Sequence, residues 1–278
     1  MYDNEINKVE GTYENGDIVD VYNWKNNFIG RGYINNNSKI RVRILTRKKE
    51  EINRDFFMKR IKEAWEYRKM MVDTSSCRVI YGEADFIPGL IVDKFGDYLS
   101  VQTLSLGIEK YKDIIVDILD ELLNPKGIYE RNDVQVRELE GLEQKKGFLK
   151  GPFDTKIEIM ENEIKMLVDI ENGQKTGYYL DQRENRAALK PFVKNARVLD
   201  AFTHTGGFAL HAAYYGAKDV TAVDISDHAL EYVKSNAALN NLQDKIHVVQ
   251  ANVFDILKEY QKNGEKFPVV GHYCVPAG

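Results

Sequence analysis

Apolar and polar positions alternate with period two in three short stretches near the start of the chain, residues 17–22, 28–34 and 40–45. Successive strand side chains point to opposite faces, so this pattern predicts three strands, with turns at Asn26-Asn27 and Asn35-Asn36-Asn37-Ser38. Together they predict a small barrel-like or meander module. Between Glu50 and Met71 the period changes. Phe57, Ile61, Ala64, Trp65 and Arg68 recur at helical spacing and predict an amphipathic helix. Strand patterns return at 78–81, 90–93 and 98–102, with Gly96-Asp97 turning the last two into a hairpin. Ile108, Tyr111, Ile114, Ile115, Ile118, Leu119 and Leu122 mark a further helix ended by Asn124-Pro125, and strands follow at 127–131 and within 157–168. This middle stretch reads strand-strand-helix-strand-strand.

From Arg197 onward strands alternate with helices: 198–200, 220–224 and 246–249 against 207–215 and 227–239. Such alternation predicts a parallel, doubly wound sheet. The overall expectation is an α/β chain with a small β-barrel module over 1–72, an α+β middle domain over 73–172, and a Rossmann-like domain over 173–278.

The chain has 278 residues, 43% hydrophobic and 29% charged, with net charge −4, as in an ordinary globular protein. No apolar run approaches the roughly 18 residues of a membrane span, so no membrane partner is expected. The acidic, polar start lacks the basic and apolar regions of a signal peptide. The two cysteines, Cys77 and Cys274, show no metal spacing, which predicts a cytoplasmic protein without structural zinc. The negative balance argues against nucleic-acid binding by the whole surface. It leaves a local basic stretch from Lys39 to Lys69, readable equally as a solvated helix face or as an RNA contact.

The chemistry is concentrated in Val198-Leu-Asp200-Ala-Phe202-Thr-His-Thr205-Gly206-Gly207-Phe208. A buried strand ends at Asp200, and a glycine-bearing loop follows and opens a helix. Glycine lets backbone approach a ligand, and the helix start offers free N–H groups. The next strand ends in Asp224, where a carboxylate accepts hydrogen bonds from ribose hydroxyls. After the third strand, Asn252 suits the adenine amino group or a helix N-cap, and Val253 suits the face of the ring. The loop is not GxGxxG, which favours a cofactor without pyrophosphate over a nicotinamide dinucleotide. Upstream, Lys175, Gln182, Arg183 and Arg186 admit two readings, a cover over the cofactor or a charged linker, and Asp181 is placed as an N-cap.

The segment from Gly173 to Arg186, the Asp200–Phe208 loop and Asp224-Ile225-Ser226 resemble the class I ribosomal RNA methyltransferases of the cytosine-C5, large-subunit type. Gly16–Tyr22, Gly30-Arg-Gly32 and Ser38–Arg41 look like that family's PUA domain, and Gly82–Asp93 like the start of its central domain. The resemblance implies S-adenosylmethionine as cofactor and ribosomal RNA as partner. It further implies that Phe202, Thr205 and Gly206 line the cofactor, with Asp224-Ile225 at the ribose, Asn252-Val253 at the adenine, and Gln182 and Arg183 on the cofactor side. The tail Pro268–Gly278 keeps neither the apolar strand nor the following motif of that family. This predicts a chain truncated within its Rossmann-like domain, with no catalytic cysteine, impaired turnover, and an open sheet edge prone to self-association or homodimer formation. A non-catalytic RNA- or cofactor-binding remnant and an NAD-dependent oxidoreductase are the competing readings.

Overall fold

The structure is a computed structural model, and it describes residues 1–272. It divides into two compact units, one of Met1–Thr155 with Asp169–Tyr178, the other of Lys156–Val168 with the chain from Tyr179 onward.

The first unit opens with an antiparallel meander of β1 (Ile18–Tyr22), β2 (Phe28–Ile34) and β3 (Val42–Thr46). Of the two forms expected, the meander is the one formed. Helix α1 (Arg54–Met71) follows, its start capped by Asn53 accepting from the Phe56 amide at 3.1 Å. A five-stranded sheet comes next, built from β4 (Ser76–Tyr81), β5 (Leu90–Phe95), β6 (Tyr98–Thr103), β7 (Gly127–Asn132) and β8 (Lys145–Lys150) in that spatial order. Between β6 and β7 lie α2 (Leu106–Lys110) and α3 (Lys112–Leu123), a right place for helices because β6 and β7 are parallel and need a crossover.

A large hydrophobic core joins the meander, α1, the sheet and α3. Tyr33 and Leu45 of the meander, Phe57 and Ile61 of α1, Val79 and Leu90 of the sheet, and Ile115 of α3 pack together. This cluster spans the boundary expected after residue 72, and a separate one of Val21, Ile34 and Val42 lies within the meander. Tyr33 ties the parts further by donating to the Pro88 carbonyl at 2.8 Å, and its ring leaves room only for glycine at Gly107.

The second unit begins with the hairpin β9 (Lys156–Glu161) and β10 (Ile164–Asp169), turned at Asn162 and Glu163, both in the left-handed region. Sequence patterning assigns 157–168 to the middle domain. The structure places Lys156–Val168 in the second unit, where Leu167 N donates to Asn236 at 2.7 Å and Lys165 N to Asn240 at 2.9 Å. The last strand of the five-stranded sheet is instead β8. After the hairpin come α4 (Arg183–Ala187) and α5 (Lys190–Val193). Asp181 sits inside a short 3-10 turn before α4 and does not cap it.

Then β11 (Arg197–Ala201), α6 (Gly207–Tyr214), β12 (Asp219–Asp224), α7 (Asp227–Leu239), β13 (Ile246–Gln250), α8 (Val253–Lys262) and β14 (Val269–His272) build a parallel sheet of order β13-β12-β11-β14. The doubly wound expectation holds for these strands. The pattern after Pro268 predicts no strand. The segment forms β14 instead, pairing Val198 with Val269 through Ala201 with His272. The chain order reverses between β11 and β14, and ligands of open α/β sheets bind at the carboxyl ends beside such a switch.

Candidate cofactor site

Asp200 lies at the carboxyl end of β11, 1% exposed. Its Oδ2 accepts two hydrogen bonds, from the Thr203 hydroxyl at 2.6 Å and the Ala209 amide at 2.9 Å. Its Oδ1 is buried with no hydrogen-bond partner among the described residues. Burial pushes the carboxyl up to about 6, against the two donors and the nearby Arg186 charge, which pull it down. An unsatisfied buried carboxylate oxygen costs stability unless a ligand supplies the donor.

Above it, the loop 202–206 is strained. Phe202, His204 and Gly206 have φ of 59°, 52° and 86°, and only the last is glycine. Four contacts over-determine it. Thr203 N donates to the Val223 carbonyl and Gly206 N to the Thr203 carbonyl, each at 2.9 Å. His204 N donates to Asp224 Oδ2 at 2.9 Å, and Asn236 Nδ2 to the Thr205 carbonyl at 3.1 Å. Gly206 is the N-cap of α6 and brings no side-chain cap, and of the first-turn amides that of Ala209 is taken by Asp200.

Asp224 ends β12. It holds the His204 amide on one oxygen and the Ser226 amide on the other, at 3.0 Å, and stays half-buried with further lone pairs for hydroxyl donors. Ile225 beside it is 67% exposed. Asn252 caps α8 by accepting from Phe254 N at 2.9 Å, the cap role foreseen for it. Val253, expected on the face of a ring, is buried with Leu199, Ala201 and Val223, so its side chain is core. The exposed apolar surface here is Phe254, 65% exposed, whose ring meets Phe202 edge-on at 5.7 Å. Sequence reasoning missed Phe254, although it follows Val253 directly.

Of the upstream polar residues, three make contacts within their own unit. Arg183 faces Glu161 at 3.9 Å, and Gln182 bonds its neighbours Asp181 and Asn185. Arg186 is buried, donates to Glu161 at 2.7 Å and to the Tyr179 carbonyl at 3.1 Å, and fills the space a side chain at Gly207 would need. Beside it, His211 bonds the Gly207 carbonyl through Nδ1 at 2.7 Å and meets the Asn162 amide at Nε2, 3.1 Å away. Burial drives this imidazole down to about 4, so it is neutral, with Nδ1–H donating and Nε2 accepting. These groups brace the first turn of α6 from behind. Glu161, Asn162, Asn236 and His211 carry no local sequence signal that would mark them.

A ligand for this site must bring a donor or a cation to Asp200, hydroxyls to Asp224, and an apolar ring to the Ile225 and Phe254 surface. An adenosyl group carrying an amino acid and a sulfonium meets all three requirements. Unlike a nicotinamide dinucleotide it carries no pyrophosphate, for which the loop lacks the GxGxxG pattern. Among the described residues no cluster of His, Cys, Asp or Glu is arranged to hold a metal, and no helix is long and apolar enough to cross a membrane. Cys274 lies outside the described residues.

Residues 1–47 match the PUA-like domain family and residues 158–272 the TRM5/TYW2 methyltransferase domain. The chain is 40% identical over 276 residues to ribosomal RNA large subunit methyltransferase I of Aeromonas salmonicida, covering 97% of this chain and 70% of that one. It is 40% identical over 277 residues to the protein of the same name from Vibrio cholerae, with the same coverage. Among solved structures it is similar to a putative SAM-dependent methyltransferase from Streptococcus mutans, with TM-score 0.80 and 22% identity over 94% of this chain and 69% of that one. A putative methyltransferase complexed with SAH gives TM-score 0.82 and 22% identity, over 93% and 68%. At that identity the structural likeness concerns the fold. The alignment takes in 97% of this chain and 70% of the relative's length, and within it the residues after Pro268 form β14 in register with β11.

Proposed function

Because the chain belongs to the ribosomal RNA large subunit methyltransferase I family, we propose that its loop site places S-adenosylmethionine for methyl transfer to carbon 5 of a cytosine in large-subunit ribosomal RNA. The observation that carries the site is the pair of strand-end carboxylates, Asp200 with an open buried oxygen and Asp224 clamping the loop above it.

Bound there, the cofactor supplies an electrophilic methyl group on a sulfonium. The chain's own work is binding and placement. Asp200 offers its free oxygen to the cationic end. The amides of Gly207 and Phe208 at the start of α6 face the cofactor's carboxylate, the Ala209 amide being held by Asp200. Asp224 takes the ribose hydroxyls, Asn252 stands at the adenine edge, and Ile225 and Phe254 exclude water from the ring. Phe202, Thr205 and Gly206 give the loop its shape, with Arg186 and His211 holding the helix behind it. Carbon 5 of cytosine needs a nucleophile at carbon 6 before it attacks a methyl donor, and the base must leave its stack to be reached. Cys77 is in the core of the first unit, 5% exposed, and does not serve as that nucleophile.

Titration with S-adenosylhomocysteine by calorimetry tests the site. Asp224→Ala should weaken binding by about 1–3 kcal/mol, the scale of a charged hydrogen-bond partner. Equal affinity for both proteins would remove Asp224 from the site. Tritiated methyl transfer to unmodified ribosomal RNA, followed by nucleoside analysis, tests the reaction. Label in 5-methylcytidine supports the target atom, whereas label in another nucleoside overturns it.

A further inference from the structure

We propose that the tip of the β1–β2 hairpin is a stacking platform for single-stranded RNA, with Trp24 as its principal base contact. This rests on the RNA reading above and names the surface that serves it.

Trp24 is 87% exposed at the turn, and Tyr22 beside it 43%. The turn holding Trp24 is well braced. Asn23 Oδ1 accepts from the amides of both Lys25 and Asn27 at 3.0 Å. Asn23 N donates to the Asn27 carbonyl and Asn26 N to the Asn23 carbonyl, each at 2.9 Å, and Asn26 takes the left-handed φ of 59° that closes the turn. A large aromatic side chain presented to solvent on such a turn contributes little to the core, and its ordering is settled before any partner arrives.

Each exposed ring has a cation over it. Lys25 Nζ lies 4.7 Å from the centre of the Trp24 ring. Lys49 Nζ lies 5.5 Å from the Tyr22 ring and 5.4 Å from Phe28, whose ring meets Tyr22 edge-on at 5.8 Å. Arg47, Lys48 and Lys49 run consecutively after β3. No acid occurs from Val21 to Gly30, and Asp20 of the same hairpin is held by Arg31 at 2.6 Å. On a chain of net charge −4 this is a local reversal of sign. Aromatic faces interleaved with cations are what an unpaired nucleic-acid strand needs, since bases stack on the rings and phosphates take the charges. The pattern also separates the two readings of the basic stretch from Lys39 onward. Lys49 belongs to this surface, whereas Arg43 is spent on the buried Glu140 at 2.9 Å.

The test uses the full chain with a short fluorescein-labelled single-stranded RNA of mixed sequence, read by anisotropy at several salt concentrations. Calorimetry with S-adenosylhomocysteine runs in parallel. Trp24→Ala should lose about tenfold in RNA affinity, the scale of one stacked base, while Trp24→Phe keeps most of it. Changing Arg47, Lys48 and Lys49 together to Gln should lower the salt slope by about 0.7 for every phosphate that is no longer neutralised. Cofactor affinity should stay unchanged in every variant. RNA affinity equal to the parent in Trp24→Ala overturns the platform, as does preferential capture by phosphatidylserine vesicles. If the parent itself ignores RNA while still binding S-adenosylhomocysteine, the platform is overturned and the cofactor site stands. Loss of cofactor binding with a Trp24-dependent RNA affinity does the reverse.

Discussion

Two carboxylates, half-buried Glu109 in one unit and buried Asp200 in the other, are treated in opposite ways. Glu109, at the start of α2, receives Lys112 Nζ at 2.6 Å, the Thr103 hydroxyl at 2.5 Å and Arg137 at 2.9 Å. Burial works to raise it, but these donors together outweigh burial and hold it at about 2. Asp200 has two donors, both on one oxygen, and burial carries it up to about 6. The first carboxylate is scaffold. Its network extends through Asn132 to Glu130, and Arg137 also donates to the Thr103 carbonyl, so the end of β6 is locked to α2. The second is a place left open. The difference lies in the donors: Glu109 has both oxygens engaged, whereas Asp200 has one oxygen without a donor among the described residues.

The largest effect is expected where the satisfied network is broken. Arg137→Met leaves Glu109 with Lys112 and Thr103 only and strips the Thr103 carbonyl. Urea unfolding should show a loss of about 3 kcal/mol, the low end for breaking a buried ion pair, because the Glu109 side chain is 20% exposed. A loss below about 1 kcal/mol, the scale of an exposed pair, would make the network ornamental.

Removing the unsatisfied charge should act in the other direction. A raised carboxyl contributes stability that is fully present below its unfolded value, 3.8, and is lost as pH rises through about 6. That rise of two units corresponds to about 3 kcal/mol. Asp200→Asn should recover about 1–2 kcal/mol of it at pH 7, since the amide keeps an acceptor for Thr203 and Ala209 but bonds them less strongly than a charge. The advantage should fade towards pH 4. Glu109 has the opposite sign: its contribution is present above 4.5 and is lost as pH falls towards 2. A variant no more stable than the parent at pH 7 would mean that Oδ1 already has a donor.

Those two carboxylates also divide what sequence could and could not reveal. Asp200 and Asp224 were legible because strand ends, loop glycines and a following helix are local patterns, and the helices of both units were legible from their period. The partners of Glu109 were not, since Thr103 and Arg137 are brought together only by the sheet. The same holds for the brace behind α6, where Glu161, Arg186 and His211 meet across 25 to 50 residues of chain. Strand β8 reads Lys-Lys-Gly-Phe-Leu-Lys with no alternation, as an exposed edge permits, so period two could not find it. In β14 the Gly-His ending hid a strand that its pairing with β11 makes plain.

The finest test of the contrast is a proton count. If the cationic end of the cofactor supplies the donor that Asp200 Oδ1 lacks, binding must pull the Asp200 carboxyl down from about 6. At pH 6 the carboxyl is half protonated in the free protein, so S-adenosylhomocysteine should release about half a proton on binding. Calorimetry in two buffers of different ionisation enthalpy reads this directly, and affinity should fall on acidification from pH 7 to 5. Asp200→Asn should abolish the release while the fold persists. Glu109, already ionised and fully engaged, contributes nothing at that pH, and Glu109→Gln should leave the proton count untouched. A release that survives Asp200→Asn would locate the titrating group elsewhere and take the open oxygen out of the cofactor site.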